Sequence, residues 1–304
     1  MTGTAPSPAA AQHVALRSEW LQASDAYAWA ALARNTLPVL LLLGIAPALR
    51  VASPVAPWLL APALGLFLYR VSIVMHDCAH RTLFSSPRAN DRVGRVLGAL
   101  TGIDYHNFGR LHWLHHRVYG EAVDPQAFHY RELRTFTPAR YALHLLRPLV
   151  GLNLRYVFPE SALSPKNIRH AFANGDIVTL LCVQTAVLAL VTGGGAFLEL
   201  AALPFVSAAT FGLFFSQLRG IAEHATLATP DGGHVTTHAP HWLDRLLLYD
   251  LHFNYHAEHH AHPQIPSCHL PAVHAAIPSE SAARHGMLRT LVELSRALEA
   301  RGRG

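Results

Sequence analysis

Residues 51–80 read VASPVAPWLLAPALGLFLYRVSIVMHDCAH. From Val51 to Tyr69 there is no charged side chain, and a helix needs about 20 largely apolar residues to cross the hydrocarbon core of a bilayer. Soon after this run come His76 and His80, spaced H-x-x-x-H, which puts both rings on one face of a helix. An apolar crossing that leads into paired imidazoles organises the reading of everything else.

Outward from it lie three more charge-free stretches, Asn35–Leu49, Ile177–Leu198 and Leu200–Leu218. The first is short, but Arg34 and Arg50 flank it and can snorkel to the two interfaces. Arg50, Pro54 and Pro57 mark a turn between the first two stretches, and Gly193–Gly195 with Glu199 marks one between the last two. The expected fold is therefore an all-α membrane protein, with four transmembrane helices in two hairpins and a cytosolic helical cap. As a single domain over residues 1–304, the chain divides into an N-terminal interfacial helix (1–34), a first hairpin (35–75), a cap segment (76–176), a second hairpin (177–218) and a second cap segment (219–304). Leu16, Trp20, Ala23 and Tyr27 supply the apolar face of the interfacial helix. Val93–Ile103 is apolar but too short to span, and reads as a re-entrant piece or a helix under the cap. Leu288, Leu291, Leu294 and Leu298 mark a surface helix packed on the cap.

Composition agrees. Hydrophobic residues make up 51% and charged residues 14%, with a mean hydropathy of +0.21, whereas soluble domains carry about 25% charge. Disordered and collagen-like classes are excluded, and three cysteines are too few for a disulfide framework. Basic residues are almost all arginine, Lys166 being the only lysine. Residues 75–176 hold 13 of them and the segment after Leu218 seven, while the two short turns share only Arg50. Positive residues stay inside, which predicts an inner or plasma membrane location with both cap segments and both termini cytoplasmic. The first 35 residues lack the basic and apolar regions of a secretory signal. The arginines are scattered and accompany no nucleic-acid motif.

The chain has 22 histidines, and some are clustered. Besides His76 and His80, two H-x-x-H-H groups occur, at His112, His115 and His116 and at His256, His259 and His260. Three- and four-residue spacing aligns each set on one helical face. Eight histidines exceed what one ion uses, so two metals are the natural count, and imidazole suits Zn, Cu, Fe and Ni alike. No H-E-x-x-H string of a zinc protease occurs. His13, His129, His144, His170 and His285 read as ordinary surface or core histidines, and His238 and His241 as surface-loop residues.

At these residues the chain resembles the integral-membrane fatty acid desaturase and hydroxylase family, over about Leu37 to His274. HDCAHRTLF (76–84), GRLHWLHHRVYGEAVDP (109–125) and NYHAEHHAHPQIP (254–266) resemble its three histidine boxes. The resemblance implies a non-haem di-iron centre held by His76, His80, His112, His115, His116, His256, His259 and His260, with His224 as the further ligand before the third box. It implies O2 as co-substrate and removal of two hydrogens from a lipid acyl chain. Asp77, Glu223 and Glu258 are then placed to orient ligand rings or to act as plain acids, and His252 and Asn254 to hold a water-mediated or supporting position. A separate electron donor, ferredoxin or a cytochrome b5-like protein with its reductase, is implied, because His262-Pro263-Gln264 lacks the Gly-Gly of a fused haem loop. Hydroxylation and carotenoid or terpenoid oxidation stay open within the superfamily. A metal transporter is a remote alternative, since the four stretches contain no Asp, Glu or His.

Overall fold

The computed structural model describes residues 16–224, 235–277 and 282–301. Among the described residues, three helices are long and apolar enough to cross a membrane: α1 (Asp25–Ala52), α2 (Ala56–Ala79, its first turn 3-10) and, later in the chain, α7 (Leu198–His224). Between α2 and α7 lie α3 (Pro87–Thr101), α4 (Tyr105–Val118), α5 (Pro138–Leu146) and α6 (Asp176–Val191). After α7 come α8 (Trp242–Leu247), α9 (His256–Ala261), α10 (Leu270–Ala276) and α11 (Met287–Arg301). Among the described residues, the regular structure is helical apart from one short parallel pair, β1 (Thr237–His238) with β2 (Ala282–Ala283).

Local chemistry sets most boundaries. The Ser24 hydroxyl accepts from the Tyr27 backbone N–H at 3.3 Å and starts α1. Ser86 and Pro87 start α3, which Gly102 ends in a left-handed conformation at φ 78°. Asp104 caps α4 by accepting from Asn107 N–H at 2.9 Å. Helix α7 contains a π turn over Ala208–Gly212, a local unwinding common near functional sites.

Helix α2 is the centre of the packing, with α1, α3 and α7 against it. Val39 and Leu43 of α1, Leu64, Leu68 and Val71 of α2 and Leu203 of α7 are buried between them. Gly65 lets α2 and α7 touch: a Cβ there would lie 2.5 Å from both the Ser207 carbonyl oxygen and the Phe211 Cβ. The outward faces stay apolar, with Leu41, Leu59, Val178, Leu181 and Phe205 exposed, as lipid contact requires. Arg50 and Glu199 pair at 2.6 Å, which brings the turn after α1 beside the turn before α7. The histidine-bearing ends of α2 and α7 both lie in the histidine patch described below.

The structure corrects several expectations. Helix α1 begins at Asp25, so residues 25–34 belong to a membrane-length helix and not to a separate interfacial one. Only Ser18–Leu21 before it is helical, as a 3-10 turn, and residues 1–15 of that expected helix lie outside the described residues. Arg34 is tolerated inside α1 because Asp250 takes its guanidinium at 3.0 and 2.8 Å. The third expected crossing is α6, which spans 16 residues, short of the usual length. The glycine run ends it, with Gly193, Gly194 and Gly195 all at positive φ. Helix α7 runs on past Leu218 to His224, where the cap was expected to begin. Of Val93–Ile103, Val93–Thr101 forms the second half of amphipathic α3, packed on α2 and α6, and Gly102 and Ile103 follow its end. Helix α11 packs on α7 and α5, as the leucine spacing predicts.

Candidate metal centre

Each histidine group sits where a helix starts or stops. His76 lies in the last turn of α2, and His80 is its C-cap. His112, His115 and His116 occupy the last two turns of α4, and His256, His259 and His260 line the short α9. His224 is the last residue of α7.

These ends converge. His76, His80, His112, His116 and His259 bring one ring nitrogen each within 4.8 Å of all the others. His115, His224 and His260 do the same beside them, and Glu223, His224 and His256 form an overlapping group. The two clusters touch where His116 and His260 stack, centroids 4.2 Å apart. All nine histidines expected as ligands thus lie in one continuous patch.

The chemistry of this patch fits metal. Buried ring nitrogens without any hydrogen-bond partner include His76 Nε2, His115 Nε2, His259 Nε2 and both nitrogens of His80 and His260. Such orphans are costly in a dry interior unless something else engages them. Other nitrogens face each other, His112 Nε2 with His116 Nε2 at 3.0 Å and His224 Nε2 with His256 Nε2 at 3.4 Å. Burial lowers the His80 pKa to about 3. Burial, reinforced by His80 and His115, lowers that of His116 to about 2. Burial and neighbouring imidazoles hold His112, His256, His259 and His260 well below their ordinary value. Neutral imidazole is the ligand form.

Carboxylates fix which nitrogen points inward. His76 Nδ1 faces Asp77 Oδ1 at 3.2 Å, and His115 Nδ1 faces Asp124 Oδ1 at 2.9 Å. In both rings the orphaned nitrogen is then Nε2, the arrangement expected of a ligand held from behind. Tyr130 also donates to Asp124, through its hydroxyl. Burial alone would raise the Asp124 carboxyl, but the bonds from His115 and Tyr130 hold it below the ordinary carboxylate range. Glu223 Oε2 lies 3.5 Å from His256 Nε2 and 3.3 Å from Arg219 Nε. Glu258 accepts from Thr237 and from His274 Nδ1, the latter at 2.6 Å, so a ring it holds is outside the three boxes. Asn254 donates to the His238 carbonyl at 3.0 Å, joining β1 to the start of α9. His252 stands at φ 60°, stacked on Tyr27. Apolar walls complete the patch: Phe253 packs edge-on to His76, and Phe108 lies parallel to His112.

Sequence reading missed several of these parts. Asp124 was visible as the acidic-Pro ending of the second box, yet nothing local assigned it to His115. His129 and His144 are buried and share Gln217 of α7, and no local spacing signals that. His238 is buried in β1 with its Nε2 3.0 Å from Thr290 Oγ1, not in a surface loop, because strand pairing draws it inward. His241 is exposed and caps α8, His170 is exposed, and His13 lies outside the described residues.

A family model described as "Fatty acid desaturase" matches residues 52–291. The chain belongs to the fatty acid desaturase family. Its relatives are distant. An omega-3 fatty acid desaturase, chloroplastic, of Brassica napus is 27% identical over 73% of this chain and 62% of its own length. A sphingolipid delta(4)-desaturase/C4-monooxygenase of Bos taurus is 29% identical over 70% and 63% respectively. An sn-2 acyl-lipid omega-3 desaturase (ferredoxin), chloroplastic, of Helianthus annuus is 25% identical over 82% and 61%. This desaturase-family chain thus spans about three-fifths of the length of these relatives.

Proposed function

We propose that this chain is a membrane fatty-acyl desaturase that uses O2 and two irons to introduce a carbon–carbon double bond. The observation that carries the reading is the pair of adjoining imidazole clusters, with unpartnered nitrogens aimed inward, in a chain of this family. The irons would be held by His76, His80, His112, His115, His116, His224, His256, His259 and His260, with Glu223 beside the second cluster. Bound there, they supply the O2 activation needed to take hydrogen from an unactivated methylene. The protein's own part is placement and exclusion. Asp77 and Asp124 keep His76 and His115 in one tautomer, so their Nε2 atoms stay unprotonated. Phe108 and Phe253 keep water from the rings and leave an apolar approach for an alkyl chain.

The membrane reading follows the same lines. Four crossings, with α6 as the short third, place the histidine ends of α2 and α7 under one cytoplasmic cap, with both termini on that side. Excess arginine in the two cap segments supports this orientation. A separate donor supplies two electrons per turnover. Relatives are named for ferredoxin and, in an Arabidopsis thaliana relative 21% identical over 75% of this chain, for cytochrome b5, and an acidic protein of either kind would complement the basic cap.

One relative's name includes a monooxygenase, which favours hydroxylation as the second reading. Mass spectrometry of lipids from an expressing host separates the two. The expected product lacks two hydrogens. A product that gains one oxygen atom moves the assignment to hydroxylase, and no change in any lipid removes it.

A further inference from the structure

A cavity of about 410 Å3 opens between α1, α2 and α8, lined by Arg34, Arg70, Trp242, Arg245, Leu246 and Asp250. Three guanidinium groups and one carboxylate line it, an excess of two positive charges. The carboxylate is fully engaged. Asp250 Oδ1 accepts from Arg34 Nη2 at 2.8 Å and from the Leu251 N–H at 2.9 Å. Oδ2 accepts from Asn35 Nδ2 at 2.6 Å, Arg34 Nε at 3.0 Å and Arg70 Nη2 at 3.1 Å. Arg70 is further tied to Asn35 Oδ1 and to the carbonyls of Arg245 and Leu246. Asp250 therefore acts as a buried post that holds two arginines in place and offers little free negative charge to an incoming anion.

Two sets of donors stay available. The Arg245 side chain is exposed and has no hydrogen bond or ion pair among the described residues, and Arg34 Nη1 has none either. An apolar skirt surrounds them. Trp242 (71% exposed) and Leu246 (48%) stand one turn apart on α8, and Leu37 (55%) and Leu41 (71%) continue from Arg34 along the same face of α1. Helix α1 enters from the histidine-bearing end of the molecule, where Asp25 accepts from the Ser85 N–H and hydroxyl at 2.8 and 2.9 Å. Leu37 and Leu41 therefore lie deeper along the helix than the pocket. Fixed cations above an apolar strip, with an exposed tryptophan at the same level, match a bilayer surface in which phosphates lie above acyl chains.

We propose that this pocket binds the phosphate of an anionic phospholipid, with an acyl chain lying against Leu37 and Leu41. The guanidinium fork suits a phosphate's paired oxygens. The site is distinct from the nine histidines, and its test does not depend on metal.

The full chain, purified in detergent and delipidated, is titrated with phosphatidylglycerol or phosphatidylcholine, and bound lipid is counted by native mass spectrometry. Phosphatidylglycerol is expected to bind more tightly. R245Q should lower its affinity about fivefold, the effect of one basic residue facing an anionic lipid, while R245K retains it and circular dichroism is unchanged. Inorganic phosphate provides the other arm. If it binds with the affinity and the Arg245 dependence of phosphatidylglycerol, the pocket is a free-phosphate site and the lipid assignment falls. Equal affinity for the two lipids, or unchanged phosphatidylglycerol binding in R245Q, would also overturn it.

Discussion

The imidazoles of His116 and His260 stack with centroids 4.2 Å apart and an interplanar angle of 30°. They come from different helices and belong to different clusters, His116 with the group of five and His260 with the group of three. The pair is the seam between two imidazole clusters, each able to hold a metal ion. Replacing both with alanine is expected to drop bound iron well below two per chain and abolish turnover. Metal analysis of the purified double variant checks this, and a preparation that still carries two irons would contradict the ligand assignment.

Asp124 acts on the centre through His115. Asp124→Asn keeps the size of the side chain but removes the charge that orients His115 Nδ1–H and accepts from Tyr130. Metal affinity should fall about 10- to 100-fold, with little loss of helix content. Competition against a chelator of known affinity provides the measurement.

Gln217 ties α7 to the cap. Its Oε1 accepts from His129 Nδ1 at 2.9 Å and Asn153 Nδ2 at 3.0 Å, and its Nε2 meets His144 Nε2 at 2.6 Å. Gln217→Leu strands these buried groups, at a cost of about 1–3 kcal/mol for each one left without a partner. Thermal unfolding in detergent should shift to lower temperature, whether or not metal is bound.

The same network predicts a pH dependence. Burial lowers His144 to about 4 against the bond to the His129 carbonyl, with the Arg147 charge adding to the lowering and Glu132 opposing it. Burial likewise lowers His129 to about 3, with His144, Arg147 and Arg219 adding to it against the bond to Gln217. Both folded values lie below the ordinary histidine value of about 6.5, so the unfolded chain takes up protons first as the solution is acidified. Their contribution to stability is intact above about pH 6.5 and declines as pH falls toward 4. His144→Gln should flatten the pH dependence of the unfolding temperature over that interval, relative to the parent protein.

Gly65 sets the contact between α2 and α7. Gly65→Leu would drive a side chain into the Ser207 carbonyl and Phe211, an overpacking that costs about 1–3 kcal/mol or more. Because α2 and α7 carry His76 and His224, metal retention should fall together with thermal stability.

The family and the histidines that converge were legible in the chain itself. A charge-free run of spanning length needs no partner to declare itself, since bilayer thickness is an external ruler. Histidines at three- and four-residue spacing align by helical geometry alone, so each box could be read separately. Helix ends were less legible: α1 runs back past Arg34 to its Ser24 cap because Asp250, far away in the chain, neutralises the arginine that had marked its edge. Only the tertiary structure decided how the boxes divide, His115 joining His224 and His260 while its neighbour His116 joins His76, His80, His112 and His259. Only it revealed Asp124, Gln217 and Asp250 as the residues that hold those parts in register. The physical reason is range. Periodicity records what a residue does within its own helix, whereas a buried carboxylate or amide is defined by the donors that distant segments bring to it.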